Sequence, residues 1–134
     1  MKYLPLLLAA CWAATAQAES PGDMLATYRA DAARQTPGFQ PSAQRGGAFF
    51  AHRFNVSEKM PACVACHTDS PSQAGRHAVT GKSIQPLAPA TNAERFTDSA
   101  KVEKWFRRNC KEVVGRECLA GEKADFVAFV MGGR

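Results

Sequence analysis

With 134 residues and a net charge of +5, the chain is sized for one modest core, and it would gain from something bulky and apolar held inside. Its cations are too diffuse, and too free of interleaved aromatics, for a nucleic-acid surface. The balance instead favours electrostatic steering towards an acidic protein partner or surface.

Residues 1–18 read as a secretory signal: Lys2 supplies a positive start, Leu4 to Ala16 an apolar stretch, and Ala16-Gln17-Ala18 a small-x-small cleavage pattern before Glu19. The expected mature chain is 19–134, exported to the periplasm, with a net charge of +4 once Lys2 is removed. A competing reading takes Leu8-Ala9-Ala10-Cys11 as a lipoprotein site, although the apolar stretch before Cys11 is short for one. No later apolar run approaches the ~18 residues of a membrane span, so no transmembrane segment is expected in the mature chain. It keeps Cys63, Cys66, Cys110 and Cys118, in a compartment where disulfides persist.

In chain order, SPGDMLATYRADAARQ predicts a helix capped by Ser20 and begun by Pro21, with Met24, Leu25, Tyr28 and Ala32 on one face. Ser42 caps a second helix running to about Arg53, with Gly46 and Phe50 four apart on one side. Residues 70–95 read mostly as loop. Asp98 or Ser99 caps a third helix whose stripe is Val102, Trp105, Phe106, Asn109 and Val113, stopped at Gly115. A last helix covers Ala120 to Met131 and carries Phe126, Val127, Phe129 and Val130. There is no internal repeat and no strand-like alternation of useful length. The expected fold is all-α, with four to five helices.

Cys63-Val64-Ala65-Cys66-His67 is the c-type haem attachment signature. Two thiols three positions apart reach the two vinyl groups on one porphyrin edge, and the next imidazole lies under the iron. A thioredoxin-type dithiol wants a βαβ setting, and a zinc site needs two further ligands that Cys110 and Cys118 supply only with unusual spacing. The signature therefore predicts one covalently bound haem c, with His67 as proximal ligand. Cys110 and Cys118 then remain as a pair, either bridged or as two free thiols.

The sixth iron position decides function. No methionine lies between His67 and the last helix; Met60 and Met131 are badly placed. His52 and His77 are each candidates. Asn109 is the third, because an amide on an apolar stripe needs a partner. That partner is iron, a backbone carbonyl or a helix C-cap.

CVACHT, GRHAVTGKSIQPLAP, TNAERFTD and above all KVEKWFRRNCKEVVGREC with downstream EKADFVAF resemble the oxygen-binding class I cytochromes c of the sphaeroides haem protein type. The resemblance runs from about Arg45 onward. It implies the class I cytochrome c fold, Asn109 as ferric ligand and a Cys110–Cys118 disulfide. Relatives with a detachable histidine would carry it at position 109, where this chain has asparagine. The resemblance further implies a redox-displaceable sixth ligand, with oxygen, nitric oxide or carbon monoxide binding at the ferrous haem. Electrons would come from a cytochrome donor, a dihaem cytochrome c with a membrane cytochrome b upstream.

The resemblance also implies that the family's Pro-rich loop, here Ile84 to Pro89, lines the proximal side and offers a carbonyl to the His67 ring. Lys82, Arg95, Arg107 and Arg108 are candidates for the haem propionates. Gly46 and Phe50 match the small-then-aromatic spacing by which the N-terminal helix of class I cytochromes c packs on the last helix, which implies Phe126 and Phe129 as their partners. Two other functions compete: a plain electron carrier with permanent His/His ligation, and a small oxidase or nitric oxide dioxygenase.

Overall fold

The computed structural model describes residues 18–132. The body of the expected signal, Cys11 included, lies outside them. The order is α1 (Pro21–Gln35), α2 (Ala43–Ala51), the single turn α3 (Val64–His67), strands β1 (Gly75–Arg76) and β2 (Ser83–Ile84), α4 (Ser99–Asn109), a π-helical turn (Cys110–Val114) and α5 (Ala120–Met131). No helix among the described residues is long and apolar enough to cross a membrane.

The helix starts follow from side-chain oxygens that satisfy the free N–H groups of a first turn. Ser20 accepts from the Asp23 N–H, and the Asp23 carboxylate accepts from the Ser20 N–H, forming a capping box behind Pro21. Ser42 caps α2 through the Arg45 N–H, and Asp98 caps α4 through the Lys101 N–H. Glu122 reaches back to the Leu119 N–H at the start of α5. Helix α2 ends at Ala51, two residues earlier than its pattern predicts, with His52 as its C-cap.

Met24 and Tyr28 of α1, Phe96, and Ala124, Val127 and Val130 of α5 form the core, with Val102 and Phe106 of α4 packed on its side. Tyr28 and Phe126 both meet Phe106 edge-on, with centroids 5.7 and 5.5 Å apart. Helices α2 and α5 cross at Gly46, where an added Cβ would stand 2.0 Å from the Asp125 carbonyl oxygen. Phe50, 1% exposed, then lies on Phe126 and Phe129 at 6.0 and 5.4 Å.

Two local features depart from the expected pattern. Residues 75–84 form a short antiparallel hairpin in which Gly75 pairs with Ile84 and Arg76 with Ser83. The third helix does not stay α-helical to Gly115: it widens into the π turn from Cys110 and is stopped by Gly115 at φ 81°, whose N–H donates to the Cys110 carbonyl.

Candidate functional site

The attachment motif is wound into one tight turn. The Cys63 carbonyl accepts from the N–H groups of both Cys66 and His67, at 3.2 and 3.1 Å, so both sulfurs and the imidazole are fixed on a single turn. Cys63 and Cys66 are half-buried and form no disulfide. Burial pushes the Cys63 thiol up to about 11, with the neighbouring Cys66 adding to the effect. Burial likewise pushes the His67 imidazole down to about 4, helped by the Arg95 guanidinium and by His77. The ring is therefore neutral and its nitrogen lone pair is available to a metal.

The surrounding chain is shaped to this turn. Thr68 takes φ 62°, ψ −178°, an uncommon conformation for a β-branched residue, and turns the chain sharply away after His67. The hairpin lies directly against α3: a Cβ on Gly75 would come within 2.0 Å of the Cys66 carbonyl oxygen, so only glycine fits. From the hairpin's connecting turn, Ala78 donates its N–H to the Cys66 sulfur at 3.2 Å. Phe50 meets the His67 ring at 6.3 Å between centroids, tying the site to the α2–α5 crossing.

The donor set fits a covalent haem and not zinc. Among the described residues no three His, Cys, Asp or Glu side chains converge as metal ligands, so the two thiols lack the further protein donors a zinc site needs. Bound haem c supplies one-electron redox chemistry and a sixth coordination position. Cys63 and Cys66 would hold it by thioether bonds and His67 would ligate it from the proximal side.

The Ile84–Pro89 stretch is braced differently from expectation. The Pro86 carbonyl accepts from Arg95 Nε at 2.8 Å and from Asn92 Nδ2 at 3.3 Å, and Gln85 accepts from Arg95 Nη2 at 2.7 Å. The Pro71 carbonyl takes the N–H groups of Leu87 and Ala88. Arg95, half-buried and with its pKa lowered by that burial, is thus a clamp on this loop beside His67. Among the other basic candidates, Arg108 pairs with Glu112 at 3.0 Å and lies over the Trp105 ring, and Lys82 is exposed in the hairpin turn. Arg107 lines a cleft with Glu103, Glu117, Cys118 and Lys123.

Of the sixth-ligand candidates, His52 is exposed at the end of α2, edge-on to Phe54 at 4.7 Å. His77 sits where the hairpin meets α3, its Nδ1 accepting from the Val79 and Thr80 N–H groups. Asn109 ends α4. Of the stripe, the protein's own atoms half-bury Val102, Phe106 and Val113 and leave Trp105 and Asn109 uncovered. The Asn109 amide makes no hydrogen bond with any described residue and does not cap the helix. Immediately after it, Cys110 and Cys118 are joined in a disulfide with Cα atoms 5.7 Å apart, both buried.

Sequence reasoning missed two polar anchors. Asp125, 7% exposed, accepts from Arg45 Nε and Nη2 at 2.7 and 2.8 Å and from the Ser42 N–H at 2.7 Å, locking α2 to α5. Glu103 takes the Tyr28 hydroxyl at 2.6 Å and Lys123 Nζ at 2.9 and 3.0 Å, joining α4 to α1 and α5. The signal for Asp125 was its place one residue before Phe126, as the one charged residue in the run from Ala124 to Met131.

Residues 37–130 match the family model described as a domain of unknown function, DUF1924. The chain is 43% identical over 128 residues to the cytochrome c-type protein SHP of Cereibacter sphaeroides, covering 93% of this chain and 95% of that protein. It is 45% identical over 92 residues to cytochrome c'' of Methylophilus methylotrophus, a match spanning 68% of this chain and 64% of that relative's length. Among solved structures, that of oxidised SHP, an oxygen-binding cytochrome c, superposes with a TM-score of 0.77 at 42% identity, over 87% of this chain and 99% of that one. Oxidised cytochrome c'' from Methylophilus methylotrophus gives 0.79 at 37% identity, over 85% and 94% of the respective chains. A helical fold with the attachment turn held in this way, shared across nearly the whole of SHP, leaves one conclusion: the chain belongs to the DUF1924 family, among the class I cytochromes c of the SHP and cytochrome c'' type, and carries one covalently attached haem c.

Proposed function

We propose that this monohaem cytochrome is exported to the periplasm, accepts electrons from another cytochrome, and binds diatomic gas when reduced, with Asn109 as a displaceable sixth ligand in the ferric state. The observation that carries the reading is the state of Asn109: a carboxamide without a protein hydrogen-bond partner, at the end of α4 where the helix widens and a disulfide begins. The two alternatives for that amide, a backbone partner and a helix cap, have no support in its contacts. The likeness to SHP, an oxygen-binding cytochrome c, and to a cytochrome c'' whose solution structure addresses haem-ligand detachment points the same way.

A carboxamide oxygen is a hard, neutral and weak donor, so it suits ferric iron better than ferrous. Reduction therefore loosens Asn109, and the differential affinity alone suffices to drive its release. Movement would concentrate in the last turn of α4 and the π turn. Earlier residues of α4 are held by the Phe106 contacts and by Glu103, and the Cys110–Cys118 bridge limits how far the segment swings. Once released, the Asn109 Nδ2 group is a hydrogen-bond donor for a guest at the sixth position.

Absorption spectra of the ferric holoprotein and its Asn109→Ala variant test this. The variant should lose the six-coordinate low-spin component while its ferrous form still takes up carbon monoxide. A low-spin ferric spectrum that survives the substitution assigns the ligand to another residue. A wild-type ferrous protein that ignores carbon monoxide removes gas binding altogether.

A further inference from the structure

Helix α4, which ends in Asn109, is gripped from the α1 side at two points. At its foot, Glu19 Oε2 accepts the Ser99 N–H at 2.6 Å, and Glu19 directly precedes the Ser20 capping box that fixes the start of α1. One and two turns further along α4, Tyr28 engages Glu103 and Phe106 together. Its hydroxyl donates to Glu103 Oε1 at 2.6 Å, and its ring stands edge-on to Phe106 at 5.7 Å. Lys123 of α5 closes the group: its Nζ donates to both Glu103 oxygens and lies 5.5 and 5.6 Å from the centres of the Tyr28 and Phe106 rings. Burial first, then the carboxylate beside it, push the Tyr28 phenol well above its ordinary range, so it remains a donor to an ionised acceptor. Tyr28 is itself buried, as are Met24 and Ala32 on the same side of α1, so the grip comes from a firmly seated helix. Phe106 is the last residue of α4 that packs on the core, and Asn109 follows it by three positions, less than one turn.

We infer that α1 is a brace on the ligand helix, and that Tyr28 is the positioning residue through which it sets how readily Asn109 leaves ferric iron. The inference rests on the reading of Asn109 proposed above. Tyr28 acts through Glu103 and Phe106, as groups behind a metal ligand in general hold that ligand in place. A helix tied at Ser99, Glu103 and Phe106 has little freedom to tilt, so the amide at its end is kept at one position. Loosening the middle tie lets α4 shift, and the weak amide–iron bond is the first to lengthen.

Cyanide binding to the ferric holoprotein requires the sixth ligand to leave, so its rate at saturating cyanide reads that departure. Tyr28→Phe keeps the ring and removes only the hydroxyl; it should speed this rate about tenfold and raise the high-spin fraction of the ferric spectrum. Carbon monoxide uptake by the ferrous protein, where Asn109 has already left, should stay close to wild type. Arg45→Gln weakens an anchor of the same kind between α2 and α5, and should lower stability without changing the cyanide rate. Asn109→Ala should bind cyanide faster than wild type, and adding Tyr28→Phe to it should give no further gain. An unchanged rate in Tyr28→Phe, or an equal increase in Arg45→Gln, overturns the brace. So does a further gain in the double variant, which places the effect of Tyr28 outside the ligand. If Asn109→Ala binds cyanide no faster than wild type, the ligand assignment itself fails and the inference falls with it.

Discussion

The crossing of α2 and α5 at Gly46 makes a quantitative prediction about what holds the haem-binding fold together. In Gly46→Ala the new methyl would stand 2.0 Å from the Asp125 carbonyl oxygen, 2.5 Å from its carbon and 2.8 Å from Phe129 Cβ. The first two obstacles are backbone, so relief requires the helices to part by more than an ångström. A gap of about 0.5–1 Å already forfeits a quarter to a half of a van der Waals well. Phe50, fully buried between Phe126 and Phe129, loses part of a burial worth about 2–3 kcal/mol, and Phe129 loses contacts as well. The Arg45–Asp125 bonds that span the same crossing lengthen with it. Against this, alanine in a helix interior gains about 0.5–1 kcal/mol over glycine. The net loss is about 2–3 kcal/mol, or roughly 10 °C in melting temperature for a domain of this size. Guanidinium unfolding of the ferric holoprotein, followed by far-ultraviolet circular dichroism, measures it. Gly47→Ala is the control, because its Cβ meets only Phe129 ring atoms at 3.2 Å, the far end of a side chain that can shift. A Gly46→Ala midpoint within error of wild type, or a Gly47→Ala loss as large, would refute the close-crossing argument.

Two further predictions concern α4. Burial alone would raise the pKa of Glu103, but its hydrogen bonds to Tyr28 and Lys123 outweigh that and hold the carboxyl below its ordinary value of 4.5. A carboxylate lowered on folding contributes stability that is fully present above its unfolded pKa and lost as pH falls through the folded one. Glu103→Gln should therefore flatten the stability loss below about pH 4.5, measured as unfolding midpoints at pH 6 and pH 3.5; parallel losses in both proteins would remove Glu103 from the acid limb. Replacing Cys110 and Cys118 with serine opens a loop of sequence separation 8 and should cost about 2.5 kcal/mol in the chain-entropy model, read from the same unfolding curves. A loss under about 1 kcal/mol means that the loop is ordered without its bridge.

What could be read from the sequence divides by how local its cause is. CVACH needs only the geometry of one turn, and the turn is there with both N–H groups on the Cys63 carbonyl. Ser20, Ser42 and Asp98 announce helix starts because a cap acts within three residues, and each does so act. Gly46 and Phe50 were legible as a packing pair because small-then-aromatic spacing is also local, although the partner that forces the glycine, the Asp125 backbone, is not. The partners of Asp125 are not local: nothing nearby in sequence shows that Arg45 and Ser42, about eighty residues earlier, supply three donors.

Asn109 shows the boundary most clearly. Its stripe predicted a buried amide, since a straight α-helix would carry positions 102, 105, 106, 109 and 113 on one side. The chain instead leaves the α-helical period at Cys110, so Val113 no longer follows Asn109 by the usual rotation. Meanwhile Phe106 and Val102 point into the α1–α5 core, and Trp105 and Asn109 fall on its flank, outside the protein's own packing. The mixed stripe thus serves two neighbours: half anchors the helix, and half faces away from the protein core. An amide one turn beyond an anchored aromatic, at the start of a widened turn and beside a disulfide, is the arrangement on which the proposed displacement on reduction rests.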